Sequence, residues 1–171
     1  MRRILLIFCL LFPLAAGAQR AEQSRKVSDV EVRDLDNNPV MLPNFGRKHL
    51  LIFYVDPEKP NMNKEFIDDM EQNNRIGSDN IYGFGVINLK DAKFYPNALV
   101  RKMAAKRTAK NGATVLSDPD HLLRDAWNLG DVNNKFVVML VTKDGELVFI
   151  RKDEFTQEDI DEFYRVVSLY R

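Results

Sequence analysis

The sequence predicts an α/β fold of three layers, α/β/α, with a mixed sheet of four to five strands and an N-terminal β-hairpin. Three apolar runs have the length of strands: HLLIFYV at 49–55, IYGFGVINL at 81–89 and FVVMLVT at 136–142. Helical segments separate these runs, which favours parallel pairing between the first strands. Asp144-Gly145 then marks a two-residue turn after the last run and predicts a terminal antiparallel hairpin.

The remaining strands and the first helix are predicted from turn and cap residues. The turn residues at 36–39 (DNNP) lie between two short apolar segments and predict the N-terminal hairpin. A helix follows the first long strand, with Asn61 as its N-cap and its end before residue 77. Phe66, Ile67 and Met70 mark the buried face of this helix.

Three further helices are predicted along the chain. The second opens at Pro96-Asn97 and ends before Gly112, and four of its apolar residues are expected to face inward. These residues are Leu99, Val100, Met103 and Ala104. A short strand at 114–116 and a short helix at 120–127, capped by Asp118, follow. The last helix begins at Thr156, because Asp159 completes an acidic variant of the capping box.

Residues 1–18 have the features of a secretory signal peptide. Arg2 and Arg3 supply the positive start, residues 4–14 form an apolar run, and residues 16–18 (AGA) suit signal peptidase. The run is shorter than the roughly 20 residues that a membrane span needs. We therefore predict cleavage after Ala18, a periplasmic or secreted location, a flexible lead at 19–26 and one domain at 27–171.

The net charge and the histidine spacing give no indication of several function classes. The chain carries 25 basic and 25 acidic residues. Removal of Arg2 and Arg3 leaves a slight acidic excess, which does not point to nucleic acid or to an anionic membrane. His49 and His121 lie outside any metal-ligand spacing, so we expect neither a metal nor another cofactor.

Cysteine usage restricts the chemistry further. The chain has one cysteine, Cys9, and it lies inside the predicted signal peptide. Cleavage would therefore leave a chain without a thiol. Thiol–disulfide chemistry needs a thiolate, so this chemistry is excluded for the cleaved chain.

The order of elements and several motifs resemble thioredoxin-like proteins of the peroxiredoxin branch. Residues 53–66 (FYVDPEKPNMNKEF) stand where redoxins carry a strand, a redox cysteine motif and a helix beginning Lys-Glu-Phe. Other motifs resemble the YtfJ family of periplasmic thioredoxin-like proteins, and the resemblance covers residues 27–168. These motifs are VLSD at 115–118, RDAWNL at 124–129, VVML at 137–140, KDG at 143–145 and FTQE at 155–158. The resemblance implies a thioredoxin-like domain and no particular reaction.

The chain departs from the redoxin pattern at the positions of the reactive groups. Two registers of the motif place the redox cysteines at Lys59 and Met62, or at Glu58 and Asn61. None of these side chains is a thiol. Redoxins also place a cis-proline before the third main strand, where this chain has Asn-Asn-Lys at 133–135. The resemblance thus implies a retained fold that has lost its catalytic site.

The loop at 56–64 is the strongest candidate for a functional surface. It follows a central strand and precedes a helix, which is where α/β sheets bind ligands and where anions find free N–H groups. Segment 133–135 is expected beside it, so that the two form a polar groove. The candidate ligand- or partner-binding residues are Asp56, Glu58, Lys59, Asn61, Lys64, Asn133, Asn134 and Lys135. The alternatives are a relic loop stiffened by two prolines and an ordinary turn, and no residue is assigned a catalytic role.

A basic segment is a second candidate surface. Residues 90–110 contain seven lysines and arginines and one acid, Asp91. Such a segment could dock an acidic partner or anionic lipid head groups. The alternative is a solvated helix face whose charge is balanced elsewhere.

Three hypotheses of function follow. The first is an exported, redox-inactive thioredoxin-fold protein that serves as a binding or accessory module, with a periplasmic protein as its partner. The second is an enzyme of a non-thiol type that uses the groove at 56–64 and 133–135. The third is a structural or interaction protein that acts through the basic helix at 97–110. None involves nucleic acid or a stable membrane anchor after cleavage, and the oligomeric state is left open.

Overall fold

A computed structural model describes residues 24–171. The predicted signal peptide and its cleavage point lie outside these residues. The described part of the chain forms eight strands and four helices, in the following order: β1 Arg25–Lys26, β2 Glu31–Arg33, β3 Pro39–Met41, β4 His49–Val55, α1 Lys64–Gln72, β5 Ile81–Asn88, α2 Asn97–Asn111, β6 Val115–Asp118, α3 Leu122–Ala126, β7 Phe136–Val141, β8 Glu146–Lys152 and α4 Gln157–Ser168.

All eight strands belong to one sheet, in the order β1-β8-β7-β4-β5-β6-β2-β3. Strand β4 lies at the centre, parallel to β5 and antiparallel to β7, and the sheet is therefore mixed as predicted. The prediction of four to five strands was wrong. Strands β2 and β3 form the predicted N-terminal hairpin, but β2 also pairs with β6, so the hairpin extends the main sheet at one edge. Strand β1, which has only two residues, extends the other edge and was not predicted.

Strand β1 begins within the predicted flexible lead. Arg25 pairs with Leu147 and Lys26 with Glu146, so this short strand runs antiparallel to β8. The backbone amide of Val27 also donates to the carbonyl of Gly145, at 2.9 Å. Residues 25 and 26, which the sequence placed before the domain, therefore form the outermost strand on one side of the sheet.

Each face of the sheet carries its own apolar core, because side chains along a strand alternate between faces. Leu50, Ile52 and Tyr54 of β4 belong to the core that includes Trp127, at the end of α3. Leu51 of the same strand belongs to the opposite core, which includes residues of α1 and α4 such as Phe66, Met70 and Phe163. Trp127 is almost fully buried, with 1% exposure.

Helix α2 packs differently from the prediction. Val100 is buried and Gly112 ends the helix with a φ of 70°, both as expected. However, Leu99 is 44 % exposed and Met103 is 60 % exposed, so their predicted inward placement was wrong. The helical period places residues 97, 101, 104 and 108 on the same side as Val100, and this side faces the protein.

The ends of the other helices match the prediction to different degrees. The Thr156 hydroxyl accepts a hydrogen bond from the backbone amide of Asp159, and the Asp159 carboxylate accepts one from the backbone amide of Thr156. The predicted capping box of α4 is therefore confirmed. Helix α1 begins two residues later than predicted, with Asn63 rather than Asn61 at the N-cap position. Helix α3 is shorter than predicted. No helix within residues 24–171 has the length and hydropathy of a membrane span.

Candidate functional site

The polar groups of interest collect at one edge of the sheet. Strands β4, β5 and β6 are parallel neighbours, so their carboxyl ends meet at the same edge. The loop at 56–63 follows β4, the segment 89–96 follows β5, and Asp118 is the last residue of β6. Segment 131–135 leads into the antiparallel β7 and therefore reaches the same edge. Edges of this kind are where open α/β sheets bind ligands.

Asp56 joins the two segments that the sequence predicted to be neighbours. Its carboxylate accepts from the backbone amide of Asn134 at 2.7 Å and from that of Glu58 at 2.8 Å. Its own amide donates to the carbonyl of Lys135 at 3.0 Å. Asp56 is fully buried, with 0 % exposure. Its carboxylate therefore positions the loop and is not open to a ligand.

Glu58 and Asn63 attach the same loop to two other parts of the fold. Glu58 accepts from the backbone amides of Lys93 and Phe94, the latter at 3.0 Å. The Asn63 side chain donates to the carbonyl of Asp153 and accepts from the amide of Phe155, each at 2.8 Å. Asn63 thus occupies the cap position of α1 without capping it. The loop is held at three points along its length, because Asp56 forms the third.

Two of the predicted lysines are engaged in ion pairs. Lys64 pairs with Asp68, one turn further along α1. Lys135 pairs with both carboxylate oxygens of Asp153, at 3.0 Å, and its side chain is 23 % exposed. The first pair is solvent-exposed and of little energetic weight. The second fastens segment 133–135 to the end of β8.

The other predicted site residues are open to solvent. Lys59 and Asn61 are exposed, and their side chains have no partner within residues 24–171. Asn134 is exposed as well, with a φ of 56°. The side-chain oxygen of Asn133 is buried and has no hydrogen-bond partner in the described part of the chain. Lys59, Asn61 and Asn134 therefore remain available for contacts with a ligand or partner, whereas the side-chain oxygen of Asn133 does not.

A buried carboxylate that sequence reasoning treated only as a cap lies further along this edge. Asp118 accepts from the amides of Leu122 at 2.8 Å, Leu123 at 3.2 Å and Arg124 at 3.3 Å. It also accepts from the hydroxyl of Tyr54, at 3.1 Å. Burial, followed by the charge of Asp118, raises the pKa of Tyr54, so the hydroxyl remains protonated and donates.

A histidine completes the polar network beside Asp118. The Nε2 atom of His121 lies 3.0 Å from the Asp91 carboxylate and 3.2 Å from the Asn88 side-chain oxygen. Asn88 is fully buried and donates to Asp91 at 2.7 Å and to the carbonyl of Val132 at 3.4 Å. His121 has a φ of 61°, uncommon for a residue with a side chain. The network thus links the ends of β5 and β6 to the segment before β7.

The chemistry open to this edge follows from its groups. An imidazole whose Nε2 atom is held by a carboxylate is a common arrangement for proton transfer. No side-chain hydroxyl within residues 24–171 is hydrogen-bonded to His121. Residues 24–171 also contain no group of three or more His, Cys, Asp or Glu side chains arranged to hold a metal ion.

Several solved structures have a fold similar to that of this chain. The pneumococcal exposed lipoprotein thioredoxin of Streptococcus pneumoniae superposes with a TM-score of 0.59 at 15% identity, covering 83% of this chain and 99% of its own. A DsbF homologue from Corynebacterium diphtheriae gives a TM-score of 0.61 at 13% identity, covering 91% and 98%. A peroxiredoxin-like protein from Aquifex aeolicus gives 0.58 at 12% identity, covering 86% of each chain. The fold is thioredoxin-like.

The described part of this chain lacks the thiols that a thiol–disulfide enzyme needs. The chain has a single cysteine, Cys9, and residues 24–171 contain none. Both registers of the redox motif therefore hold other side chains in the folded domain. A single cysteine, at a position outside the described residues, is consistent with a redox-inactive thioredoxin-like module. No family model matches the chain, no curated protein matches it, and the resemblance to the YtfJ family stays a prediction.

The sequence contained a signal for the residues that were missed. Asn88 and Asp118 each end a strand of the parallel part of the sheet, and Asp91 and His121 follow three residues after them. Polar residues at the ends of consecutive parallel strands are expected to meet. His121 was considered only as a metal ligand, and the Asp91 carboxylate only as part of a basic segment. Tyr54 carried no such signal, because it lies within an apolar run.

Proposed function

We propose that the chain is an exported, redox-inactive binding or accessory module of the YtfJ type, whose recognition surface lies at the carboxyl edge of the central strands. The observation that supports this proposal most directly is the composition and the hydrogen bonding of the loop at 56–63. At the place of the redox motif, this loop has no thiol and is held by Asp56, Glu58 and Asn63. A rigid loop with free side chains at its tip suits recognition, because little conformational entropy is lost when a partner binds.

The exposed tip of the loop supplies the contact groups of the module. The side chains of Lys59 and Asn61 have no partner within the described residues, and the backbone amide of the exposed Asn134 is bonded to Asp56 at the start of the same loop. One cation and two amides favour a partner that presents carboxylates or backbone carbonyls. A periplasmic protein fits this description and fits the predicted signal peptide.

The enzyme hypothesis has less support than the binding hypothesis. It placed the chemistry in the groove between 56–64 and 133–135. Asp56, the carboxylate best placed to act there, is fully buried and accepts two backbone amides. Lys135 is paired with Asp153. A reaction in this groove would first have to break the bonds that position it.

Two measurements test the proposal, the first on residues 19–171 and the second on the full chain, which carries the predicted signal peptide. The first is disulfide reduction and peroxide consumption, for which we expect no rate above that of a protein-free control. The second uses a photo-crosslinking amino acid at Asn61 in periplasm-containing cells, for which we expect a discrete adduct. The adduct should disappear when Lys59→Glu is added, and it should persist when Lys143→Glu is added as a control. Lys143 is exposed and lies in the β7–β8 turn, at the amino end of β4, whereas the loop at 56–63 follows the carboxyl end of β4.

Two results would contradict the proposal. Disulfide-reducing or peroxide-consuming activity of this thiol-free chain would show that the domain is not redox-inactive. An adduct that survives Lys59→Glu, or that is lost equally with Lys143→Glu, would mean that the loop tip does not select the partner.

A further inference from the structure

We propose that the protein binds reversibly to anionic lipid bilayers through one exposed face, which we call the basic–aromatic surface. This surface consists of the loop before α2 and the outer side of α2, and its members are Lys93, Phe94, Tyr95, Leu99, Lys102, Met103, Lys106 and Lys110. The proposal goes beyond the binding module proposed above and does not depend on it, because the loop tip at Lys59 and Asn61 is not part of this surface.

The apolar members of the surface are exposed to an unusual degree. Phe94 is 79 % exposed, Tyr95 51 %, Leu99 44 % and Met103 60 %. They account for four of the seven exposed large apolar side chains in residues 24–171. Single exposed apolar residues are common, whereas a group of them surrounded by charge indicates an interaction site. Aromatic and aliphatic side chains of this kind insert at the boundary between head groups and acyl chains.

The cations of the surface have no internal partners. Within residues 24–171, none of the seven lysine and arginine side chains at 90–110 forms an ion pair or a hydrogen bond. The one acid of the segment, Asp91, is engaged by His121 and Asn88. Other cations of the fold, such as Arg75 and Arg151, pair with aspartates at 2.9 and 2.7 Å. The basic segment therefore carries an uncompensated positive charge, which is complementary to an anionic surface.

Helix geometry aligns the apolar and basic members. Leu99, Met103, Lys106 and Lys110 are spaced by four, three and four positions, and such spacings share one side of a helix. Val100 points to the protein. The resulting stripe spans about 16 Å, at a rise of about 1.5 Å per residue. It is apolar at the start of α2, next to Phe94 and Tyr95, and basic towards the end.

The kind of cation favours lipid over an acidic protein as the occupant. Five of the seven cations at 90–110 are lysines and two are arginines. Lysine is depleted in protein–protein interfaces and arginine is enriched there, because arginine forms directional, bidentate contacts. Lysines are attracted to an anionic bilayer through their charge alone, so the lipid head groups need no particular arrangement around each ammonium group. Lysines next to exposed aromatic side chains thus match a bilayer interface better than a protein surface.

The test is co-sedimentation of residues 19–171 with vesicles, because residues 1–18 contain an apolar run that could itself enter lipid. The vesicles contain phosphatidylglycerol and phosphatidylcholine in equal parts, or phosphatidylcholine alone. We expect binding to the anionic vesicles only, and its loss at high salt, which screens exposed charges. Lys102→Glu/Lys106→Glu should weaken partitioning by at least about 25-fold, at about fivefold for each lysine. Phe94→Ser should weaken it about tenfold.

A matched control separates this surface from net charge. Arg47→Glu/Lys143→Glu changes the charge by the same amount at two exposed positions away from α2, and it should leave partitioning within about twofold. All substituted side chains are exposed, so the variants should keep the thermal midpoint of the unchanged chain. Equal binding to neutral vesicles, no binding, or an equal loss in the control variant would overturn the proposal. Binding to polyglutamate without binding to vesicles would assign the surface to an acidic protein instead.

Discussion

The buried pair of Tyr54 and Asp118 allows a sharp test of the fold, because the two residues are 64 positions apart in the chain. Replacement Asp118→Ala removes the acceptor for three backbone amides at the start of α3 and for the Tyr54 hydroxyl. Replacement Tyr54→Phe removes only the hydroxyl. The two changes therefore affect one shared hydrogen bond, and they should not be additive.

The magnitudes follow from the burial of both groups. Loss of a helix cap costs about 1–2 kcal/mol. A buried hydroxyl left without an acceptor costs about 1–3 kcal/mol more, so Asp118→Ala should lower the free energy of unfolding by about 3 kcal/mol. Tyr54→Phe should cost about 1 kcal/mol, the net value of one hydrogen bond. The double variant should cost about 2 kcal/mol, because no hydroxyl is then left unpaired.

The assay is equilibrium unfolding in urea, followed by the fluorescence of Trp127. This residue is the only tryptophan of the chain and is 1% exposed, so its emission should shift strongly on unfolding. Asp120→Ala is the matched control, since Asp120 is exposed and its side chain has no partner within residues 24–171. It should change stability by less than about 0.5 kcal/mol. Additive costs, or a cost of Asp118→Ala no larger than that of the control, would refute the reasoning.

Two further predictions concern His49 and Thr156. The Nδ1 atom of His49 accepts from the amide of Lys143 at 3.2 Å, and burial and then the charge of Lys143 lower its pKa below 6.5. As the pH drops from 6.5, the unfolded chain therefore binds more protons than the folded chain, and the free energy of unfolding should fall. His49→Gln should make this decline shallower, as measured by unfolding curves across that pH range. An unchanged decline would show that His49 is not the group responsible. Thr156→Ala should cost about 1 kcal/mol in urea unfolding, whereas Gln157→Ala, on the same turn, should cost less than half of that.

The elements that the sequence predicted best are those whose signal is local. Strand His49–Val55 is a continuous apolar run, and its predicted bounds coincide with those observed. The capping box of α4 depends on two residues three positions apart, and it was also correct. Strand Arg25–Lys26 has only two residues and forms because β8 offers its edge. Nothing within so short a segment could indicate that pairing.

The site was predicted in part for a similar reason. The sequence indicated that loop 56–64 and segment 133–135 would be neighbours, and Asp56 joins them through Asn134 and Lys135. The sequence could not show which of these polar groups would be used internally, because that depends on amides that approach from distant segments. The same limit applies to Leu99 and Met103. Their helical spacing allowed an inward face, but the sheet covers only the side of α2 that carries Val100.

The distribution of satisfied polar groups indicates where this fold can gain energy from a partner. A ligand that contacts Asp56 or Asp118 would have to displace backbone amides, and each broken buried bond costs about 1–3 kcal/mol. Lys59 and the lysines of α2 have no internal partner within the described residues, so contacts with them displace only water. Glu58 connects the two exposed regions, because it belongs to the loop at 56–63 and accepts from the amides of Lys93 and Phe94. Recognition in this thiol-free domain is therefore expected at side chains that the fold leaves exposed, on two surfaces linked by the hydrogen bonds of Glu58.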